Sequence, residues 1–232
     1  MSAVTTPFTG FRPEALQFLV DLSANNERSW FQPRKADYER LLKEPLQALC
    51  LALAERFSTR SIPLSVDPKR SPFRIYRDVR FSKDKSPYKT NIGAEFPLIG
   101  DGAASTGSHG VGGYFHLSPG EIFAGGGMWH PEPATLAAWR QAVQDRNRDV
   151  HDALDEPGFV ATFGTLNGER FKRVPAGAPA DHPDVELLKL KQLAFGRPLS
   201  DREVKSARLP DLMADTFVSA LPFMRLLASL PR

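Results

Sequence analysis

The sequence predicts an α+β protein in which a largely antiparallel central sheet is flanked by N-terminal and C-terminal helices. Apolar residues recur at helical spacing toward both ends of the chain, whereas the middle holds short runs rich in β-branched and aromatic residues, bounded by Pro, Gly and Asp. With 232 residues, 41% of them hydrophobic, the chain is long enough to bury a substantial core. We expect one domain over 1–232, helical over 10–58, mostly strands over 61–127 and helical over 132–230.

The N-terminal part predicts helices with clear start and stop signals. Pro13 suits a first helical turn, and Asn25-Asn26 is a good stop. A second helix begins at Pro45 and carries Cys50 within its apolar stripe. We therefore interpret Cys50 as a buried, small apolar residue and not as a catalytic thiol.

The middle of the chain predicts five short strands and one mobile loop. Three glycines at 125–127 are costly inside a strand, and we favour a tight bend or bulge over close approach to a ligand as their reason. Trp129 follows them and is a candidate for stacking on a flat ligand, although an aromatic residue at a sheet edge is more often core. The loop is the small, glycine-rich segment 101–110. The strands are predicted over 62–66, 73–81, 92–99, 111–118 and 121–126.

Helical spacing returns after Pro131. Ser200 and Glu203 have the spacing of a capping box, which marks a helix start. Segment 174–183 is rich in Pro, Ala and Gly and predicts a loop. Helices are predicted from 133 to 154, 159 to 166, 184 to 195 and 211 to 230.

Positive charge is concentrated in one segment. Residues 74–89 hold six cations and two anions, a net charge of +4; since the whole chain carries +3, the remainder carries −1. A local excess of this kind focuses positive potential at one place. Planar arginines and pointlike lysines together suit phosphate or carboxylate recognition. The candidate ligand-binding cations are Arg74, Arg77, Arg80, Lys83, Lys85 and Lys89.

The segment combines a predicted strand with a turn. If 74–81 is extended, Arg74, Tyr76, Asp78 and Arg80 share one face, and Ile75, Arg77, Val79 and Phe81 form the other, mostly apolar face. One tyrosine and one histidine are candidate catalytic residues for a site at this segment. They are Tyr88, in the turn, and His116, which shares a strand face with Tyr114 and would act as the acid–base group if it faced the arginines.

Residues 74–91, Arg-Ile-Tyr-Arg-Asp-Val-Arg-Phe-Ser-Lys-Asp-Lys-Ser-Pro-Tyr-Lys-Thr-Asn, resemble the signature of a family catalogued as domain of unknown function 2461. The resemblance covers roughly residues 8 to 228 and implies a bacterial, cytoplasmic α+β protein, with no established activity to transfer. Ser86 stands where the family pattern leads us to expect threonine. Further matching residues are Gly10-Phe11, Asn25-Asn26, Trp30-Phe31, Gly113-Tyr114-Phe115-His116, Gly125-Gly126-Gly127-Met128-Trp129 and Asp181-His182-Pro183.

Several classes of function have no support in the sequence. No apolar run is long enough to span a bilayer, the first residues lack a secretion signal, and one cysteine fits a reducing compartment, so we expect a cytoplasmic protein with no membrane partner. The scattered histidines have no metal-ligand spacing, and we predict no metal site; a cofactor is not indicated.

Three functions remain open. The first is an anionic small-molecule site, which could belong to an enzyme. The second is a non-catalytic scaffold or interaction protein whose cationic motif is a salt-bridge network. The third is a nucleic-acid-binding module, although no broad basic stripe supports it. The sequence does not indicate the oligomeric state.

Overall fold

The α+β class is confirmed by a computed structural model, which describes residues 7–80, 82–100, 110–145 and 147–231. A 3₁₀ turn over Gln32–Arg34 and a π-helical turn over Glu39–Lys43 join the second, third and fourth helices. The helices are α1 (Pro13–Ala24), α2 (Arg28–Phe31), α3 (Lys35–Tyr38), α4 (Glu44–Thr59), α5 (Pro133–Asp145), α6 (Asn147–Leu154), α7 (Pro157–Phe163), α8 (Val185–Leu188), α9 (Asp201–Val204) and α10 (Leu209–Ala228). The strands are β1 (Ile92–Pro97), β2 (Gly112–Ser118), β3 (Glu121–Met128) and β4 (Leu193–Pro198).

The four strands form an antiparallel sheet in the order β1–β2–β3–β4. The predicted strands 92–99, 111–118 and 121–126 are confirmed as β1, β2 and β3, with small changes of boundary. A short segment extends the sheet beyond β1, since the Phe73 amide donates to Gly93 O (2.9 Å) and the Glu95 amide to Ser71 O (3.0 Å). The predicted strands 62–66 and 73–80 are wrong, because these residues form only isolated contacts; Phe81 and the predicted loop residues 101–109 lie outside the described residues.

The helix predicted over 184–195 is also wrong beyond α8, because the chain turns there into β4. The reason lies in β3. A Cβ atom added at Gly125 would lie 2.4 Å from Phe195 O, and one at Gly127 would lie 2.0 Å from Leu193 O. On its other side, a Cβ at Gly126 would lie 2.1 Å from Gly112 O. The three glycines thus allow close approach of neighbouring backbone, and Gly127 also has a φ of +102° that adds a local irregularity.

Most helix signals are confirmed. Pro13 occupies the first turn of α1, which ends at the C-cap Asn25, and α4 carries a proline in its first turn. Ser200 and Glu203 make the reciprocal bonds of a capping box at α9. The predicted helix 159–166 is α7, which stops earlier because Gly164 adopts a φ of +68°.

The described chain divides into two compact units, each with its own core. The first comprises the described residues of Met1–Phe96, Tyr114–Ala124 and Pro198–Ala214. In it, the leucine stripes of α1 and α4 are buried, and Phe57 packs edge-on against Phe96. The second comprises the described residues of Pro97–Gly113, Gly125–Arg197 and Asp215–Arg232. Its core contains Trp139, Phe159 and Phe223. The single domain predicted from the sequence stays a prediction.

Candidate functional site

The cationic motif is a narrow antiparallel loop in the first unit. Tyr76 and Tyr88 form a bridge, flanked by hydrogen bonds from the Arg77 amide to Pro87 O (3.0 Å) and from the Lys89 amide to Ile75 O (2.8 Å). The two faces predicted from period-two alternation are nevertheless present over 74–80, although the backbone is not a regular strand. Arg74, Tyr76, Asp78 and Arg80 are exposed, Ile75 is buried, and Arg77 and Val79 are half-buried.

An asparagine and a phenylalanine anchor this loop to the helices. Asn26 Nδ2 donates to Tyr88 O (2.9 Å), and the Tyr88 amide donates to Asn26 Oδ1 (3.0 Å), so one amide side chain satisfies both backbone groups. The Tyr88 ring stacks on Phe31 with centroids 4.1 Å apart and is only 1% exposed. Tyr88 therefore lies in the core, and its catalytic role stays a prediction without support from its position.

At the tip of the loop, residues 77–80 and 82–86, three of the six candidate cations form hydrogen bonds within the loop. Arg77 donates to Asp84 and to Ser86 Oγ. Arg80 forms a two-point pair with Asp78, at 3.0 and 2.6 Å. Lys85 Nζ donates to Val79 O at 2.9 Å.

These bonds also stabilise the charged form of both acids. Hydrogen bonds from Arg80 lower the pKa of Asp78 to about 2, and hydrogen bonds from Ser86 and then from Arg77 lower the pKa of Asp84 to about 2. The tip is thus a turn fixed by its own hydrogen bonds, and ligand binding by its cations stays a prediction. Lys83 is exposed at this tip.

The base of the loop, at Arg74 and Lys89, differs from the tip in its ion pairing. Arg74 and Lys89 form no ion pair within the part of the chain that the structure describes. Lys89 is half-buried, with its Nζ 5.0 Å from the centroid of the Phe73 ring. Burial, and then the positive charge of Arg74, lower the pKa of Lys89. Arg74 acts electrostatically on Asp78 as well, as a minor contribution to the low pKa of that acid. The positive charges of Arg74 and Lys89 therefore act on each other, and Arg74 also acts on the negative charge of Asp78.

His116 lies on the half-exposed face of β2, with both ring nitrogens engaged. Its Nδ1 is 3.1 Å from the Tyr114 hydroxyl and 3.5 Å from Asn91 Nδ2. Its Nε2 is 3.2 Å from Ser118 Oγ, and the Glu121 carboxylate is 4.0 Å away. The side chain is 16% exposed, and burial lowers the pKa of His116, while Glu121 opposes that shift. His116 is therefore neutral at neutral pH and can take up a proton.

Tyr114 links His116 to the base of the cationic loop. Its ring packs against Phe73 on one side (centroids 5.9 Å apart) and Phe123 on another (5.8 Å). Its hydroxyl lies over Gly93, where an added Cβ would be 2.6 Å from the oxygen. Burial, assisted by the negative charges of Glu121 and Glu95, raises the pKa of Tyr114 to about 12. Tyr114 thus stays protonated, and the series Lys89–Phe73–Tyr114–His116 is continuous. We call these residues, with Arg74 and Asn91, the polar face.

Trp129 lies in the second unit and is 55% exposed, so the interpretation of this residue as core is wrong. Its ring meets that of His130 edge-on, with centroids 6.3 Å apart. It is not part of the polar face of the first unit. Its role in ligand binding stays a prediction.

Cys50, by contrast, is confirmed as fully buried, and burial raises its pKa to about 12.

The other polar clusters of the described chain give less support for a functional site. No three or more His, Cys, Asp or Glu side chains converge there in a way that could hold a metal ion. His151 bridges Asp155 (2.9 Å) and Asp184 (3.1 Å), and these carboxylates raise its pKa, so the histidine ties α6 to the start of α8. Among the described helices, none has the length and the apolar composition needed to cross a bilayer.

Several residues of the polar face were missed from the sequence, although signals for them exist. Asn91 ends the cationic signature, and Tyr114 precedes His116 by two residues on the same strand face. Gly93, the second residue of β1, is a signal that another group approaches the backbone there. Phe73 gave no signal, because an aromatic residue before a charged segment usually belongs to the core.

The described chain thus combines an α+β fold with a face on which burial lowers the pKa of both His116 and Lys89, a feature that is common at ligand sites. Residues 14–226 match the model of a family described as a conserved hypothetical protein, DUF2461. The chain belongs to this family, which confirms the resemblance found in the sequence. No curated protein and no solved structure matches the chain.

Proposed function

We propose that the first unit binds a small anionic molecule, a phosphate or a carboxylate, at the polar face. Arg74 and Lys89 would hold the anion, and His116 would serve as the acid–base group of the site. The observation that carries this proposal is Lys89, which is half-buried with its Nζ 5.0 Å from the centroid of the Phe73 ring and forms no ion pair among the described residues. Placing like charges together in a partly desolvated position is unfavourable unless an anion completes the arrangement.

The chemistry of the two cations suits such a ligand. Arginine can donate two parallel hydrogen bonds to one phosphate or carboxylate group, and lysine adds a point charge. Lys89 is held over the Phe73 ring, which restricts its position. A negative charge beside it would reverse the lowering of its pKa, so binding and protonation of Lys89 are expected to support one another.

His116 gives the polar face the means for acid–base chemistry. Its low pKa keeps it neutral near pH 7, and the neighbouring Glu121 would stabilise the imidazolium if a proton arrived. If the bound molecule reacts, we propose His116 as the acid–base group; binding alone does not require it.

The structural role considered for the cationic motif also has an observation in its favour. The tip cations Arg77, Arg80 and Lys85 are each bonded within the loop. We propose that these three maintain the shape of the turn, while Arg74 and Lys89 contact the ligand. The motif would then combine two of the roles predicted for it, divided between its tip and its base.

Calorimetric titration with inorganic phosphate tests whether the base cations bind the ligand while the tip cations have a structural role. Replacing Lys89 or Arg74 with alanine is expected to weaken phosphate binding about tenfold or more, because a hydrogen bond to a charged group contributes about 1.5–3 kcal/mol. Arg80→Ala and Lys85→Ala are matched controls, since each removes one positive charge from the same loop. Both controls should bind phosphate within about twofold of the natural chain, apart from a general charge effect that salt suppresses.

Equal losses in all four variants would contradict the proposal, because they would indicate a diffuse charge effect. Acetate in a parallel titration distinguishes a phosphate site from a carboxylate site. Retention of single-stranded DNA that falls with salt and requires Lys89 would assign the same cations to a nucleic-acid backbone.

A cytoplasmic location stays our proposal, supported by the single, buried Cys50.

A further inference from the structure

We propose that Tyr114 and His116 form a proton relay, in which the Tyr114 hydroxyl contacts the bound molecule and His116 Nδ1 accepts the tyrosine's proton. This inference rests on the proposed function, because it assigns the proton path at the same polar face. It makes Tyr114 the catalytic residue that touches the ligand, and it makes Ser118 a positioning residue that acts through His116.

The hydrogen bonds around Ser118 fix the tautomer of His116. Ser118 Oγ donates its single proton to Glu121 O at 3.1 Å, so toward His116 the same oxygen can only accept. It therefore accepts from His116 Nε2–H, 3.2 Å away. A neutral imidazole carries one N–H, so Nδ1 must be the acceptor. The groups nearest to Nδ1 are both able to donate: the Tyr114 hydroxyl at 3.1 Å and the Asn91 amide at 3.5 Å.

The position of Tyr114 suits a group that passes a proton on. Its ring is held between Phe73 and Phe123, and the absence of a side chain at Gly93 leaves room for its hydroxyl. With its proton directed to His116 Nδ1, the oxygen of Tyr114 keeps lone pairs with which it can accept a hydrogen bond from a ligand. Burial raises the pKa of Tyr114 to about 12, so the resting tyrosine is protonated, and the relay moves both protons together.

The step balances as a general-base reaction. The ligand's O–H or N–H bond breaks as its proton joins the Tyr114 oxygen, while the original O–H bond of Tyr114 breaks and its proton joins His116 Nδ1. The products are a deprotonated ligand, a regenerated tyrosine and a His116 imidazolium. The Glu121 carboxylate, 4.0 Å from Nε2, stabilises that imidazolium.

Nitrogen-15 NMR of the histidine rings in the full chain tests the relay without any ligand. The His116 signals are assigned by their absence in His116→Gln. We expect the shift of a protonated Nε2 and an unprotonated Nδ1 in the natural chain. Tyr114→Phe or Ser118→Ala should each weaken this preference, so that signals of the other tautomer appear. A protonated Nδ1 in the natural chain would overturn the relay, as would a tautomer that neither substitution alters.

Adding inorganic phosphate separates the relay from the proposed function. The natural chain should show a shift of the His116 Nδ1 signal on saturation. Tyr114→Phe should still bind phosphate through Arg74 and Lys89 but lose that shift. Bound phosphate that leaves Nδ1 unmoved in the natural chain would overturn the relay while the anion site stands. If phosphate does not bind at all, the anion site fails, and the tautomer measurement alone decides whether the hydrogen-bonded pair exists.

Discussion

Replacing Gly127 with alanine is expected to destabilise the protein by about 3 kcal/mol or more, enough to remove a large part of the stability of a typical domain. Two effects add at this position. The φ of +102° is strained for any residue with a Cβ atom, a cost of about 1–3 kcal/mol. The new Cβ would also lie 2.0 Å from Leu193 O, so β3 and β4 would have to separate. Urea unfolding followed by circular dichroism measures the loss.

Two further alanine variants separate these effects. Gly120 also has a positive φ, +82°, but a Cβ there would meet nothing within 4 Å, so Gly120→Ala isolates the backbone strain. Gly126 has no positive φ, yet its Cβ would lie 2.1 Å from Gly112 O, so Gly126→Ala isolates the crowding. Gly127→Ala should destabilise more than either control. A Gly127→Ala protein as stable as Gly120→Ala would show that β4 does not approach β3 as described.

Removing the Tyr88 ring with alanine is expected to cost about 3–5 kcal/mol, the usual range for loss of a buried aromatic side chain. The ring is 1% exposed, stacks on Phe31 at 4.1 Å and also meets Tyr76 at 5.5 Å. Its loss would leave a cavity between the cationic loop and the helices and would release the base of the loop. Thermal and urea unfolding of Tyr88→Ala measure the effect.

Tyr88→Phe is the matched control, because it keeps the ring and removes only the hydroxyl. It should retain nearly full stability and unchanged phosphate affinity, since the stacking and the backbone bonds with Asn26 remain. A large loss of phosphate binding in Tyr88→Phe, with stability intact, would instead show that the Tyr88 hydroxyl contributes to the site.

Local signals in the sequence predicted those elements whose stability depends on local residues. Pro13, the Asn25 stop and the Ser200–Glu203 capping box each act within one helical turn, and all three are present. β4 was missed because its pairing is non-local. Segment 184–195 has apolar spacing compatible with a helix, and contact with β3 overrides it. The glycines of β3 held the missing information, since they require a close backbone neighbour on each side.

The candidate site was predicted in part. Period-two alternation assigned the faces of 74–80 correctly, because exposure alternates along this segment although only Tyr76 forms a bridge there. The charge count identified the cationic segment, but it could not distinguish Lys89, which has no ion pair among the described residues, from Arg80, which is paired with Asp78. That separation depends on which side chains a turn brings near Asp78 and Asp84, and turn geometry is not encoded in charge spacing.

Diffraction from a crystal soaked in selenate would locate an oxyanion directly, because selenium gives an anomalous signal at its own position. We expect a peak within hydrogen-bonding distance of Lys89 Nζ and the Arg74 guanidinium, on the side of the loop that faces Tyr114. Selenate bound only at the tip, against Arg77, Arg80 or Lys85, would contradict the polar face as the anion site. So would a Lys89 that stays without an anion at a selenate concentration that saturates binding in solution.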